Sequence, residues 1–371
     1  MRALWSHILR ILQTYTGDVP LHHFLKAYFK KEPKLGSRDR KAISAAAYAW
    51  YRVGKGIGGG VSSEANILAA LAFCGDIPKP LLPQVQAESA APQATVETGK
   101  ILSFDVPMSD GITRDEWTAG LIRQPRLFLR IRKNKAEIKR RLDTAGIEQE
   151  WISDACLALP NGTRVEDQLQ ADWYVVQDAA SQETGRYLQG THGETWWDCC
   201  AGAGGKSLLL MEQSPGIRLL STDIRQTILK NLRERFSQYG FSAPETMVLD
   251  TEEQHAVQTA LGSRTFNGII CDVPCTGSGT WARTPESLFF FNPISIATYA
   301  EKQRAILRHA AARLKPGGRL IYITCSVFRA ENEEVIDAVA QSAGLVPVQG
   351  GLINRIDIGG DALFAMELKK A

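Results

Sequence analysis

The sequence predicts an α/β protein in three parts: a helical N-terminal region, a small α+β segment, and a Rossmann-like domain on a mostly parallel sheet. Three observations carry this. From residue 190 onward, short apolar runs alternate with helical stretches, the pattern of βαβ units. Nearly every run ends in a polar or small residue: Asp198, Asp223, Asp250, Asp272 and Thr324-Cys325. Before residue 75, apolar side chains recur instead at helical spacing, in WSHILRILQTY and AISAAAYAWYRVG.

Taken in order, residues 1–112 read as the helical region plus a linker. Ser37, with Asp39 close behind, is a candidate N-cap for the second helix. Gly58-Gly59-Gly60 breaks the chain, and 75–112 is rich in Pro, Ala, Gln and Ser. Residues 113–190 form the α+β segment, with LFLRIR as a strand and ADWYVVQDAAS as a strand entering a helix. Residues 191–371 form the parallel domain. Its strands are ETWWDCCAG, IRLLSTDI, ETMVLD, FNGIICDVP and GRLIYITCS, separated by helices such as TILKNLRERFSQYG. In such sheets ligands bind beyond the carboxyl ends of the strands.

Composition narrows the class. The chain has 371 residues, 44% hydrophobic and 22% charged, ordinary for a soluble fold. It has no uncharged apolar stretch of membrane-spanning length and no secretion signal. Seven cysteines without a framework spacing suit reduced thiols in the cytoplasm. Net charge is +3, unevenly spread: residues 1–60 carry eleven Lys/Arg against three Asp/Glu, and 121–141 carry nine against one. Two basic segments on an otherwise acidic chain suggest a polyanion partner.

The chemistry concentrates in three motifs. Asp198-Cys199-Cys200-Ala201-Gly202-Ala203-Gly204-Gly205-Lys206-Ser207 joins a strand to a helix. It has the ending of a phosphate-binding P-loop, but the first glycine of that loop would fall on Cys200. The other reading is a loop for the methionine part of S-adenosylmethionine. Asp223, about twenty residues on, suits the two hydroxyls of a ribose; Asp250 suits an adenine edge. One strand-end aspartate is ordinarily a cap, whereas three in succession favour a nucleoside ligand. Asp272-Val273-Pro274-Cys275 offers a carboxylate for the edge of a flat base beside a thiol. Thr324-Cys325-Ser326 offers a second thiol at the next strand end. A thiolate adding to carbon 6 of cytosine turns carbon 5 into a nucleophile able to take a methyl group, and Asp272 suits the ring-nitrogen edge. Residue chemistry alone leaves Cys325 and Cys275 interchangeable. Cys199-Cys200 and Cys271-x3-Cys275 lack the paired short spacings of a zinc site, so no metal is expected.

These motifs resemble the RsmB-like (Sun/Fmu, nucleolar-protein) family of RNA cytosine-5 methyltransferases, over essentially all of residues 113–371. DCCAGAGGKS is similar to its cofactor loop, with Gly202 where alanine is usual and Ala203 where proline is usual. DVPCTGSGT and TCS resemble its two cysteine motifs, and LFLRIRKNK, VVQDAASQ and Leu363-Phe364-Ala365-Met366 resemble smaller ones. LGSRDRKAISAAAYAWYRVGKGI is similar to part of a NusB-like helical RNA-binding domain. The resemblance implies a class I methyltransferase domain, with S-adenosyl-L-methionine held by Cys200, Ala201, Gly202, Ala203, Gly204, Gly205, Lys206, Asp223, Asp250 and Asp272. It implies Cys325 as nucleophile and Cys275 as the thiol that helps release product. DNA cytosine-5 methyltransferases instead attack with the cysteine after proline. The implied partner is RNA, ribosomal ahead of transfer RNA, and the basic strand and helical region are expected to grip phosphates. A monomer, without membrane or metal, is the simplest form. The competing classes are a non-catalytic RNA-binding or assembly factor and a P-loop hydrolase.

Overall fold

The computed structural model describes residues 2–57, 63–75, 77–83 and 95–371. The expected glycine break at 58–60, and residues 84–94 of the expected linker, lie outside the described residues. The chain forms two compact units. One comprises residues 1–106, 113–124 and 280–293; the other comprises 107–112, 125–279 and 294–371.

The first unit is helical: α1 (Arg2–Thr14), α2 (Leu21–Lys31), α3 (Ser37–Val53), α4 (Glu64–Cys74) and α5 (Arg114–Ile122). Helix α3 buries Ile43, Ala46, Ala47, Trp50 and Tyr51 on one side, as its periodicity requires. Ser37 is its first helical residue and Gly36 the N-cap, without a side-chain cap. The expected Ser37 cap is therefore corrected by one position; Asp39 in the first turn still complements the helix dipole. True caps occur at Ser63, which accepts from Asn66 N at 3.2 Å, and in the Thr113–Glu116 capping box.

Residues 280–293 join this unit from a distant part of the chain. The ring centroids of Tyr51 and Phe289 lie 5.2 Å apart and those of Trp117 and Trp281 5.5 Å apart. Glu286, buried, accepts from Leu21 N at 3.0 Å. Arg52 is also buried and donates to the carbonyls of Leu121, Arg123 and Ala282 at 2.6, 2.9 and 2.9 Å. A guanidinium with three carbonyl partners ties three segments of the unit together.

The second unit holds two sheets. The smaller is antiparallel with order β2-β3-β1-β4, from β1 (Leu127–Ile131), β2 (Glu150–Trp151), β3 (Cys156–Leu159) and β4 (Tyr174–Val176); α6 (Lys135–Thr144) follows β1. The short α7 (Ala179–Glu183) leads to the larger sheet. Its strands are β5 (Thr195–Asp198), β6 (Arg218–Asp223), β7 (Glu245–Val248), β8 (Phe266–Asp272), β9 (Leu314–Thr324), β10 (Leu345–Asn354) and β11 (Ala362–Lys370). The order is β10-β11-β9-β8-β5-β6-β7. Strands β5 to β9 pair in parallel, whereas β11 runs antiparallel to β9 and β10 antiparallel to β11. This is the expected Rossmann-like, mostly parallel sheet. The helices between its strands are α8 (Gly205–Gln213), α9 (Gln226–Gln238), α10 (Gln254–Leu261), α11 (Ile294–Ala311) and α12 (Glu333–Ala343).

Alternation along the strands supplies a core on each face. Trp197, Phe266 and Tyr322 join Leu307 of α11 and Val335 of α12 on one side. Trp196, Ile321 and Ile323 join Leu209 and Leu210 of α8 on the other. A strand covered on both faces reads as a continuous apolar run, and for that reason these strands were legible in the sequence.

The basic segment behaves differently from expectation. Arg130 and Arg132 of the β1 region are mostly buried, and both are ion-paired with Glu212 of α8. Lys133 pairs with Asp172, Lys135 with Asp154, Lys139 with Asp143, and Arg140 and Arg141 with Glu137. The two arginines are structural ties to the larger sheet's helix layer, which corrects their expected role as phosphate grips. A window of sequence counts its own charges and misses the acids that folding brings to it. Glu212→Ala leaves two guanidinium groups unpaired in a dry site and should lower unfolding free energy by about 3–5 kcal/mol in chemical denaturation. An exposed pair such as Lys139–Asp143 should contribute under about 1 kcal/mol.

Candidate active site

Parallel strands bring their carboxyl ends to one edge. A cleft of about 450 Å³ opens there, within the usual range for a small-molecule site. Of the residues expected to hold the cofactor, Cys200, Asp223, Asp250 and Asp272 line it, together with Ile224, Tyr299 and Lys302. Tyr299 and Lys302 come from α11, and Lys302 reaches Glu252 at 3.3 Å.

The glycine loop forms the turn between β5 and α8. Gly204 is the left-handed N-cap of α8, with φ +79°, and a Cβ there would lie 2.6 Å from Leu232 Cγ. Only glycine meets both demands. Ala201 N donates to Thr222 O at 2.8 Å, and Gly202 N to Asp223 Oδ2 at 3.0 Å, so the loop is fastened to β6. Asp223 also receives Arg225 Nε at 3.0 Å. Ala201 to Lys206 thus build the turn, while the strand-end acids face the cleft.

Beneath the loop, Asp198 is fully buried. Ser207 Oγ donates to its Oδ2 at 2.6 Å, whereas Oδ1 has no hydrogen-bond partner among the described residues. Burial pushes its carboxyl up to about 7, against the Ser207 bond that holds it down. Such an orphaned acceptor beside a nucleoside-sized cleft fits a ligand that carries an ammonium group.

Lys206 and Ser207 do not behave as P-loop residues. Lys206 Nζ lies 3.0 Å from Ser181 Oγ and 3.3 Å from Asp272 Oδ2. Ser207 Oγ is occupied by Asp198 and Ser221. Neither side chain is left for phosphate or magnesium.

The two thiols meet. Asp272 ends β8 beside Ile323 of β9, and the loops that follow bring Cys275 Sγ to 3.2 Å from Cys325 Sγ. Both residues are partly buried. Contact with Cys325 first, and burial second, raise the Cys275 thiol well above its ordinary value. Cys199 and Cys271 form another contact at 3.3 Å, but both are buried and their thiols are pushed up, which makes them inert packing.

The loops carrying the thiols are held by residues that the sequence reading passed over. Glu331 Oε1 accepts from Thr276 N at 2.9 Å and Gln303 Nε2 at 3.1 Å; its Oε2 accepts from Thr276 Oγ1 and Ser326 Oγ, both at 2.5 Å. Asn332 accepts from Thr324 Oγ1 at 2.5 Å and donates to Ser326 O at 2.9 Å. Gly279 N donates to Cys325 O at 2.9 Å, and a Cβ on Gly279 would overlap Ala362 O at 1.9 Å. The only signal in the sequence was a polar Glu331-Asn332 pair following a strand-end motif, too common a pattern to single out.

Comparison with known proteins agrees with this geometry. The profile of the family described as 16S rRNA methyltransferase RsmB/F matches residues 186–349. Over that span the chain is similar to the RsmB/F family. Ribosomal RNA small subunit methyltransferase B of Vibrio cholerae is 33% identical over 227 residues, 58% of this chain and 51% of that protein. Its counterpart from Klebsiella pneumoniae is 30% identical over 222 residues, again 58% and 51%. The chain thus spans about half the length of these curated relatives. Among solved structures, PH0851 shares the fold with a TM-score of 0.70 at 19% identity, covering 95% of both chains. NSun6 from Pyrococcus horikoshii shares it at 0.56 and 13% identity, over 77% of this chain and 94% of that one. The RsmB/F span contains the cleft acids and both thiols. Among the described residues no helix is long and apolar enough to cross a membrane, and no group of His, Cys, Asp and Glu would hold a metal ion.

The Asp198 carboxyl, raised from 3.8 to about 7, gives a signed pH dependence. Its contribution to stability is complete below the unfolded value and is lost as pH rises through the folded one. Asp198→Asn should therefore raise the melting temperature of the ligand-free protein by several degrees at pH 8. The gain should shrink towards pH 5, as followed by circular dichroism.

Proposed function

We propose that this protein transfers a methyl group from S-adenosyl-L-methionine to carbon 5 of a cytosine in ribosomal RNA, through a covalent adduct of Cys325 at carbon 6. The observation that carries the reading is the thiol pair, 3.2 Å apart, beside the Asp272 carboxylate at the edge of a nucleoside-sized cleft. Methyltransferases that act on amino nitrogens have no use for two adjacent thiols, whereas a carbon that must first be made nucleophilic does.

The donor supplies an electrophilic methyl group when bound. Asp223 would accept from its ribose hydroxyls and Asp250 would face its adenine edge, with the buried Asp198 beneath the loop that would hold its methionine part. On the RNA side, the target base must be single-stranded or flipped out to reach the cleft. Asp272, next to Lys206, hydrogen-bonds the ring-nitrogen edge and favours addition. The Cys325 thiolate forms a bond to carbon 6, which moves the electron pair to carbon 5 for methyl capture. The carbon-5 proton then leaves to a base, the carbon–sulfur bond breaks, and Cys325 returns as thiolate. Cys275, in contact with that sulfur, assists the elimination. The choice of Cys325 as attacker follows from the resemblance of its Thr-Cys-Ser motif to the family's nucleophile motif, and the raised Cys275 thiol is consistent with it.

The test uses RNA containing 5-fluorocytosine, which blocks loss of the carbon-5 substituent. With donor present, the native protein should form a complex that survives denaturing electrophoresis, and Cys325→Ser should form none. Cys275→Ser should retain the adduct even on ordinary RNA. Crosslinking by Cys325→Ser but not by Cys275→Ser would reverse the two roles. Absence of both crosslink and methyl transfer on total RNA would favour a non-catalytic RNA-binding factor.

A further inference from the structure

Glu331 is fully buried, has two hydrogen bonds to Thr276, one to Ser326 and one to Gln303, and forms no salt bridge among the described residues. Thr276 follows Cys275 and Ser326 follows Cys325. Gln303 also donates to Pro274 O at 2.9 Å, on the other side of Cys275, and Tyr322 OH donates to the Glu331 carbonyl at 2.6 Å. A carboxylate in a dry site is costly unless several donors meet it. Here the donors come from both thiol loops and from α11. A core that needed only packing would fill this space with an apolar side chain. The geometry points to Glu331 as the positioning residue that holds Cys275 and Cys325 at reacting distance.

Ser278 also joins the loops, with its Oγ 3.1 Å from Ser326 Oγ and accepting from Val327 N at 2.9 Å, and Thr276 Oγ1 lies 3.5 Å from Ser326 Oγ. Asn332 fixes the two residues flanking Cys325, but its bonds go to Thr324, Ser326 and Ser109, none of them on the Cys275 loop. Gly279 N to Cys325 O joins the loops at the far end of the Cys275 turn. Glu331 adds a single carboxylate that accepts at once from the residues directly after each cysteine, at 2.9 Å or less. With the carboxylate removed, Thr276 N–H and two hydroxyls lose their acceptor, and the turn after Pro274 is free to seek others. The thiols then separate, while the cofactor cleft, lined by other residues, stays intact. Glutamine keeps the shape. Its oxygen accepts from Thr276 N and Gln303, and its amide donates to hydroxyls that rotate to accept.

The inference rests on the proposed covalent mechanism for its consequence, but not for its geometry, and two measurements separate them. Phenylarsine oxide bridges two thiols only when they are adjacent; iodoacetamide reports each thiol singly. The native protein should capture the arsenical through this pair, assigned by loss of capture in Cys275→Ser. Glu331→Ala should weaken capture at least tenfold and lower the methyl-transfer kcat at least tenfold. Single-thiol alkylation and donor affinity should remain within about twofold of native. Glu331→Gln should restore both capture and kcat to within a few-fold. If Glu331→Ala does not fold, Ser326→Ala serves instead, with a smaller loss of capture expected in a folded protein. Native-like capture by Glu331→Ala, or by Ser326→Ala in its place, overturns the inference. Loss of capture in Glu331→Ala from a protein that never crosslinks fluorinated RNA upholds the positioning role and removes the cytosine reading instead.

Discussion

Strands β8 and β9 run side by side in the same direction, and they leave the sheet at the same level, Asp272 against Ile323. Each side chain with proposed chemistry inherits its position from that pairing. Two cysteines fifty residues apart become neighbours because parallel strands share an end, and the helix between them packs back over the sheet. The aspartates of β5, β6 and the turn after β7 follow the same logic on the other side of the switch in strand order. The sheet thus sorts the proposed functions, with the acids of β5, β6 and the turn after β7 to one side of β8 and Cys325 to the other.

Buried charge organises the periphery of this arrangement. Glu212 holds Arg130 and Arg132, Arg52 gathers three carbonyls, and Glu331 gathers the thiol loops. None of these groups adds much stability over an apolar replacement, but each has directional demands that hydrophobic contact lacks. Where loops from separate parts of the chain must keep a set geometry, directional bonds are the suitable fastening. Apolar packing then supplies the stability, through strands such as β5, whose Trp196 and Trp197 serve opposite faces.

Much of this was legible beforehand, for identifiable reasons. Strands β5, β6, β8 and β9 are largely buried, so each shows as an apolar run closed by a polar residue, and the edge strand β7 shows as a shorter one. The strand-end acids and both cysteine motifs follow directly. The less regular pieces did not show. Strand β10 carries Pro347 and a Gly350-Gly351 pair, with a register shift between Pro347 and Gln349, and its alternation is lost. Strands β2 and β3 are only two and four residues long. The recruitment of residues 280–293 into the helical unit depends on pairs such as Tyr51 with Phe289, far apart in sequence and invisible to any local window. The charge count over 121–141 misled for the same reason, since its partners Asp154, Asp172 and Glu212 lie outside the window.

The antiparallel return of β11 has a consequence for biosynthesis. This strand pairs with β9 from Arg319 to Thr324, the residues leading to Cys325, and its first residue, Ala362, has the carbonyl that fits against Gly279. On the ribosome, β5 to β9 are complete while residues 362–370 are still unmade. Until those residues emerge, β9 is an open edge, able to pair with other nascent chains. The side of the sheet from β5 to β7 can therefore form early, but the side carrying the thiols is closed only after β11 has been made. The cysteine pair thus gains its final setting only after strands β5 to β9 are in place.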